Sequence, residues 1–223
     1  MKTKIKIASG FIIVLFMTMN WACKKDDNTP VNPPVQNTVT DPRDGHVYKT
    51  ITVDTLVWFA ENLDYDTAGA YENKLKSTKD ENYGKLYSWF SAKVACPEGW
   101  HLASDDNWKA LLMSMGMNAN DAGANGFNGT DQGKRLKSKT GWMSNGNGTD
   151  EIGFNALPAG YLNAYGELVG KGEYAHFWTS TPEQTNAAYT RTLMAGRDDV
   201  RKDGMTYGGG AAASVRCVKD PSK

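Results

Sequence analysis

The 223-residue chain has no excess of charge of either sign, since 25 Lys and Arg stand against 25 Asp and Glu. The basic footprint that marks a nucleic-acid partner is therefore missing. Histidine and cysteine are scarce: His46, His101 and His176, and Cys23, Cys96 and Cys217. None of them forms a His-x-x-x-His or Cys-x-x-Cys spacing, so a zinc site lacks support. There is no Gly-x-Ser-x-Gly elbow, and no Ser–His–Asp set can be assembled from the order of residues. Glu61 and Glu151 would act as a carboxylate pair only if the fold brought them together. With no visible constellation of catalytic groups, the expectation is a protein that is not an enzyme. No internal repeat of fixed period is present.

Long apolar runs are also lacking. The longest, residues 7–19, is broken by Ser9, Gly10 and Thr18 and falls short of the ~20 residues a bilayer span needs. It follows Lys2, Lys4 and Lys6, and a charged start before a short apolar core is the pattern of a secretory signal peptide, here residues 1–22. A buried amphipathic helix is the alternative, but residues 11–17 are apolar on every side. Asn20-Trp21-Ala22-Cys23 resembles the lipobox of bacterial lipoproteins, in which the cysteine takes a diacylglycerol and becomes the new N-terminus. Ala22 fits that pattern; Trp21 and Asn20 depart from it. The following Lys24-Lys25-Asp26-Asp27 resembles the charged signal that carries Bacteroidetes-type lipoproteins to the outer face of the outer membrane. Cys23 is thus the expected lipid attachment site, the outer membrane the expected anchor, and the location extracytoplasmic. Residues 23–40, with Pro30, Pro33 and Pro34, read as the acylated cysteine and an extended tether.

From residue 41 to the end at 223 the composition is that of one globular domain. Residues 48–53 and 56–60 read as strands around an Asp54-Thr55 turn, from their Thr, Val, Ile and Trp content. Residues 87–95 read as a helix that partly buries Trp89, Phe90, Ala92 and Val94 and stops before Pro97. The clearest helix starts at Ser104, a good N-cap followed by Asp105 and Asp106. Trp108, Leu111, Leu112 and Met115 give it one apolar face, and Gly116 its stop. Residues 123–153 are crowded with small polar side chains and read as long irregular surface. Strand signals return at 177–181, 189–194 and 214–218, with Asp203-Gly204 as a hairpin turn signal. Two helices, short antiparallel strands and long loops indicate an α+β domain.

Six ordered segments share a likeness. They are Asp44-Gly45-His46-Val47-Tyr48-Lys49-Thr50, Trp58-Phe59-Ala60-Glu61-Asn62-Leu63 and Tyr83-Gly84-Lys85-Leu86-Tyr87-Ser88-Trp89, then Cys96-Pro97-Glu98-Gly99-Trp100-His101-Leu102. Phe177-Trp178-Thr179-Ser180-Thr181 and Ser214-Val215-Arg216-Cys217-Val218-Lys219-Asp220 complete them. In this order they resemble the Fibrobacter succinogenes major paralogous domain family, over nearly the whole domain. That family is similar, more distantly, to the formylglycine-generating-enzyme fold, a relative of C-type-lectin-like domains. The resemblance implies a compact α+β domain whose N- and C-terminal strands pair. Formylglycine-generating enzymes use two cysteines close in sequence, upstream of the closing Arg-Cys motif. Residues 191–210 hold no cysteine, so that oxidase chemistry is not expected.

With Cys23 lipidated, Cys96 and Cys217 remain an even pair. In an oxidising compartment a disulfide is the default, with a redox or copper-binding pair as the alternative. Calcium would draw on the oxygens of Asn128, Asp131, Asp150 and Glu151. The Glu-Pro-Asn or Gln-Pro-Asp motif of sugar-binding C-type lectins is missing, Pro182-Glu183 only echoes it, and loop Asp and Asn more often make turns. No resident cofactor or metal is therefore expected. Trp58, Trp89, Trp100, Trp108 and Trp178 read as core. Tyr161, Tyr165 and Tyr174, set among Gly and Asn, read as exposed rings able to bind a ligand, with Arg191 and Arg197 as polar contacts. The expected role is capture of a glycan or protein ligand at the cell surface; the alternative is a structural subunit of a surface assembly.

Overall fold

The structure, a computed structural model, describes residues 37–72 and 83–220. The expected signal peptide, Cys23, the charged signal and the three tether prolines lie outside the described residues. The domain starts earlier than residue 41. Strand β1 (Asn37–Thr40) pairs antiparallel with β2 (Val47–Val53), from Asn37 opposite Thr50 to Thr40 opposite Val47. Its sequence Asn-Thr-Val-Thr has the polar look of a spacer because it is an edge strand with mostly exposed side chains.

The β2 strand turns at Asp54, which takes φ 55°, into β3 (Leu56–Phe59). The C-terminal β13 (Cys217–Lys219) then pairs with β3, Val218 opposite Trp58, and with β6 (His101–Leu102). The first sheet, in the order β1-β2-β3-β13-β6, therefore joins the two ends of the domain. The disulfide Cys96–Cys217 fastens it, closing a loop over a sequence separation of 121; the chain-entropy account gives a loop of that size about 5 kcal/mol.

Both expected helices are present. Helix α1 (Trp89–Ala95) is capped by Ser88. Helix α2 (Asp105–Ser114) has a capping box in which Ser104 and Asn107 satisfy each other's backbone. Gly116, with φ +91°, follows its C-terminus and donates to the Met113 carbonyl. Two five-residue helices were not legible, α3 (Ala119–Gly123) and α4 (Gln132–Leu136), because one turn and a half offers no 3.6-residue period to read. The expected burial of α1 is half right: Trp89 and Ala92 are buried, while Phe90 is 59% and Val94 76% exposed.

The second sheet has the order β10-β11-β12-β7, built from β10 (Tyr174–Gln184), β11 (Ala187–Met194), β12 (Val200–Thr206) and β7 (Gly126–Asn128). The Asp203-Gly204 hairpin expected from sequence is not there. Both residues lie inside β12, opposite Thr190 and Tyr189, and a Cβ on Gly204 would collide with the Glu183 carboxylate. The glycine answers a close approach rather than a turn. Two ribbons complete the domain, β4 (Ala70–Tyr71) with β5 (Leu86–Tyr87) and β8 (Tyr161–Leu162) with β9 (Leu168–Val169). With four helices and thirteen strands among the described residues, the domain is α+β and mostly β.

One core cluster packs the α2 stripe of Trp108, Leu111 and Leu112 against Trp58, Phe154 and Phe177. A second gathers Tyr48, Phe59, Tyr87, Trp89 and Trp178. The Arg216 side chain is buried against the Phe154 and Phe177 rings. It donates to Asn62 Oδ1 and to the carbonyls of Phe59, Phe154 and Asn155 at 2.6–3.0 Å. Burial pushes its pKa down to about 9, so the guanidinium still carries its charge at neutral pH. The Arg-Cys pair near the C-terminus thus ties four chain segments together.

Candidate functional site

Strands β10, β11 and β12 alternate their side chains between two faces. The register sets Tyr174 beside Met194, His176 beside Thr192 beside Arg201, and Thr190 beside Asp203. On this outer face the sheet forms the floor of a recess of about 280 Å³. One wall is Tyr161 on β8, carried in by the hydrogen bond from Gly160 N to the Tyr174 carbonyl at 2.8 Å. Its ring stacks on the His176 imidazole at 4.7 Å and 28° and meets Tyr174 edge-on at 6.3 Å. Tyr174 in turn lies over Gly170, where a Cβ would strike its ring. Met194 and Met205 add apolar surface to the lining.

The recess is polar in a specific way. His176 Nδ1 shares a hydrogen bond with Thr192 Oγ1 at 2.7 Å, while its Nε2 is buried without a partner. Burial, and then the Arg201 charge, push the imidazole pKa down to about 4 against the pull of Asp203, so the ring is neutral at physiological pH. Arg201 is ion-paired with Asp203, and both side chains are nearly half exposed, 43% and 45%. Thr190 Oγ1 donates to the Asp203 carbonyl at 3.2 Å. Arg201 and Asp203 are the charged residues of the lining, and their charges cancel.

Of the five residues expected to bind a ligand, the structure brings two together, Tyr161 and Tyr174. Tyr165 is 88% exposed but stands in the turn between β8 and β9 and is not part of the recess lining. Arg197 lies in the turn after β11, paired with Asp199 at 2.6 Å and 4.0 Å over the Phe127 ring. Arg191 corrects the sequence reading most sharply. It projects from the opposite face of β11 and is 2% exposed. There it grips Asp105 Oδ1 through Nε at 3.0 Å and Nη2 at 2.6 Å, and Lys202 Nζ takes Asp105 Oδ2 at 2.8 Å. Burial lowers the Arg191 pKa against the pull of Asp105. The residues that the sequence reading missed are His176, Thr192, Arg201 and Asp203. The signal that could have found them is parity with Tyr174 along adjacent strands.

The oxygen ligands considered for calcium have other partners. Glu151 accepts from Arg135 at 2.7 and 2.9 Å, and Asp131 lies 3.6 Å from the same guanidinium. Asn128 Nδ2 donates to the carbonyls of Ala124, Asn125 and Gly126, and Asp150 accepts from Asn155 N at 2.6 Å. Among the described residues, no group of three His, Cys, Asp or Glu stands where it could hold a metal ion. Glu61, the other half of the conjectured carboxylate pair, accepts from Lys49 N at 3.1 Å. Cys96 and Cys217 form the disulfide rather than a redox or copper-binding pair.

Comparison with known proteins agrees with the motifs. Residues 51–219 match the Fibrobacter succinogenes major domain, and the chain belongs to that family. No curated protein and no solved structure matches it.

Proposed function

We propose that the chain is a non-enzymatic lipoprotein of the cell surface, whose domain captures a glycan or protein ligand in the recess walled by Tyr161. The observation that carries this reading is the recess itself: two tyrosine rings set over a floor of hydroxyl, imidazole, guanidinium and carboxylate groups. A concave site with a few convergent polar groups is where ligands bind by default. The fold we propose is of the C-type-lectin-like, formylglycine-generating-enzyme-like kind, supported by the pairing of β3 with β13 and the long irregular connections. Anchoring through Cys23 to the outer membrane rests on the N-terminal sequence; the balanced charge favours no nucleic-acid partner.

A glycan array probed with residues 24–223 tests the binding reading. Binding should be lost when Tyr161→Ala and Tyr174→Ala are combined; a ligand that binds the double variant as well as the natural chain overturns it. Anchoring is tested by Cys23→Ser, which should release the protein from the membrane fraction or leave the precursor uncleaved. Normal maturation and membrane partition would contradict it. A structural role in a surface assembly is the second reading. It is favoured by the exposed Phe90 and Val94 of α1, with Tyr207 edge-on to Phe90 at 5.2 Å and Lys93 over the Phe90 ring at 5.1 Å. Phe90→Ser would then abolish assembly and leave glycan binding intact.

A further inference from the structure

We infer that the recess takes a single uncharged sugar ring, held through adjacent hydroxyls by the Arg201–Asp203 pair and packed by its C–H face against the tyrosines. The inference rests on the capture reading above and names its ligand class. Three observations lead to it.

The first is size. At about 280 Å³ the recess is slightly smaller than the ~300–1,000 Å³ pockets that enclose drug-sized ligands, a size that suits one ring. The second is charge. The lining holds one cation and one anion, already paired. A carboxylate or phosphate ligand would compete with Asp203 for Arg201 and meet repulsion from the acid; an ammonium ligand would meet the converse. Neither gains what it loses in desolvation.

The third is the pattern of donors and acceptors. A guanidinium offers only donors, a carboxylate only acceptors, and a hydroxyl both gives and takes. Side by side, Arg201 and Asp203 match two neighbouring hydroxyls, one accepting from Nη and one donating to Oδ, without separating the ion pair. Asp203 Oδ1 is also held by Gly204 N at 3.0 Å, which fixes the carboxylate in place. Beneath the Tyr161 ring lies the His176 imidazole, its Nε2 buried and without a hydrogen-bond partner, so that a ligand packed on Tyr161 presses on an uncharged support. Tyr161 and Tyr174 bring flat apolar faces with hydroxyl tips, the amphipathic combination that suits a ring with polar edges.

The test is calorimetric titration of the full-length mature protein in a zwitterionic detergent, which avoids sugar headgroups. The probes are glucose, galactose, mannose and N-acetylglucosamine, against glucuronic and galacturonic acids, each at low and at high salt. At least one neutral sugar should bind, with an affinity indifferent to salt. Asp203→Asn should weaken it about tenfold or more, as loss of a charge-assisted hydrogen bond does, with the melting temperature unchanged. Arg201→Gln provides the same readout should Asp203→Asn unfold. Preference for the uronic acids, falling with salt, overturns the inference; if Tyr161→Ala abolishes that binding, the capture reading survives. Binding of no sugar also overturns the inference. The capture reading itself fails only if a ligand found by screening binds the Tyr161→Ala, Tyr174→Ala variant normally.

Discussion

The two faces of the β10–β11–β12 sheet hold nearly the same inventory and use it in opposite ways. Inward, Arg191 and Lys202 converge on Asp105 of α2. All three are buried, and both carboxylate oxygens are taken at 3.0 Å or less. Outward, Arg201 and His176 stand near Asp203, with the ion pair half exposed and an imidazole nitrogen unpartnered. Saturated charges in a dry interior fix the helix to the sheet and have nothing left for a ligand. Half-solvated groups with spare donors and acceptors do. A single step along β11 or β12 separates the two roles, so parity along the strand, not residue type, decides which arginine can bind.

The largest expected effect breaks the inner face. Asp105→Ala leaves two buried cations without their partner and should cost about 3–5 kcal/mol, read as a shift of the urea midpoint at constant slope. A cost near that of a surface substitution would mean that Arg191 and Lys202 reach water, and the contrast between the faces would be lost.

The pH dependence of the outer face comes next. His176 has a folded pKa of about 4 against an ordinary 6.5, so below pH 6.5 the unfolded chain binds the extra proton and the folded one does not. Stability contributed by the neutral ring is complete above pH 6.5 and is lost as pH falls toward about 4, by at most about 3 kcal/mol. The groups facing it are Arg201, Asp203, Tyr161 and Thr192. His176→Gln should flatten that part of the profile; identical profiles for the variant and the natural chain would place the imidazole in solvent.

Gly170→Ala should cost about 1–3 kcal/mol, because Gly170 has φ +64° and the new methyl strikes the Tyr174 ring. Displacing Tyr174 should also weaken ligand binding, and a variant that binds normally would remove Tyr174 from the site. The smallest effect is on Arg201→Ala, which should change stability by less than about 0.5 kcal/mol while reducing binding. Arg191→Ala, on the opposite face and in register with Lys202, should instead show its effect first in stability, by leaving Asp105 short of a buried partner.

Much of the scaffold was legible from local rules. The Asp54 hairpin, the capped helix at Ser104 and its Trp108 stripe each agree with propensity, turn chemistry and period together. The tryptophans expected to be core are buried, apart from the partly exposed Trp100. Pairing Cys96 with Cys217 followed from the odd cysteine count together with the expectation that Cys23 carries lipid.

The sheet's faces were not legible, for a physical reason. β12 reads Val-Arg-Lys-Asp-Gly-Met-Thr, and its inward position between Val200 and Gly204 is Lys202, so the apolar alternation that reveals a half-buried strand is replaced by an internal ion pair. Asp203-Gly204 then looks like a turn, and Arg191 like a surface side chain. The tyrosines were found because their surroundings are rich in glycine. Tyr165 was included on the same ground, although only the cross-sheet register distinguishes it from Tyr161.

The most direct test watches His176 itself. With histidine labelled by nitrogen-15, the strongest neutral glycan from the array is titrated into residues 24–223 while the imidazole resonances of His46, His101 and His176 are followed. Our account predicts a saturable shift at His176 Nε2, absent at the other two histidines and abolished by Asp203→Asn. A glycan that saturates the protein without moving the His176 resonance would place the binding surface elsewhere and contradict the account.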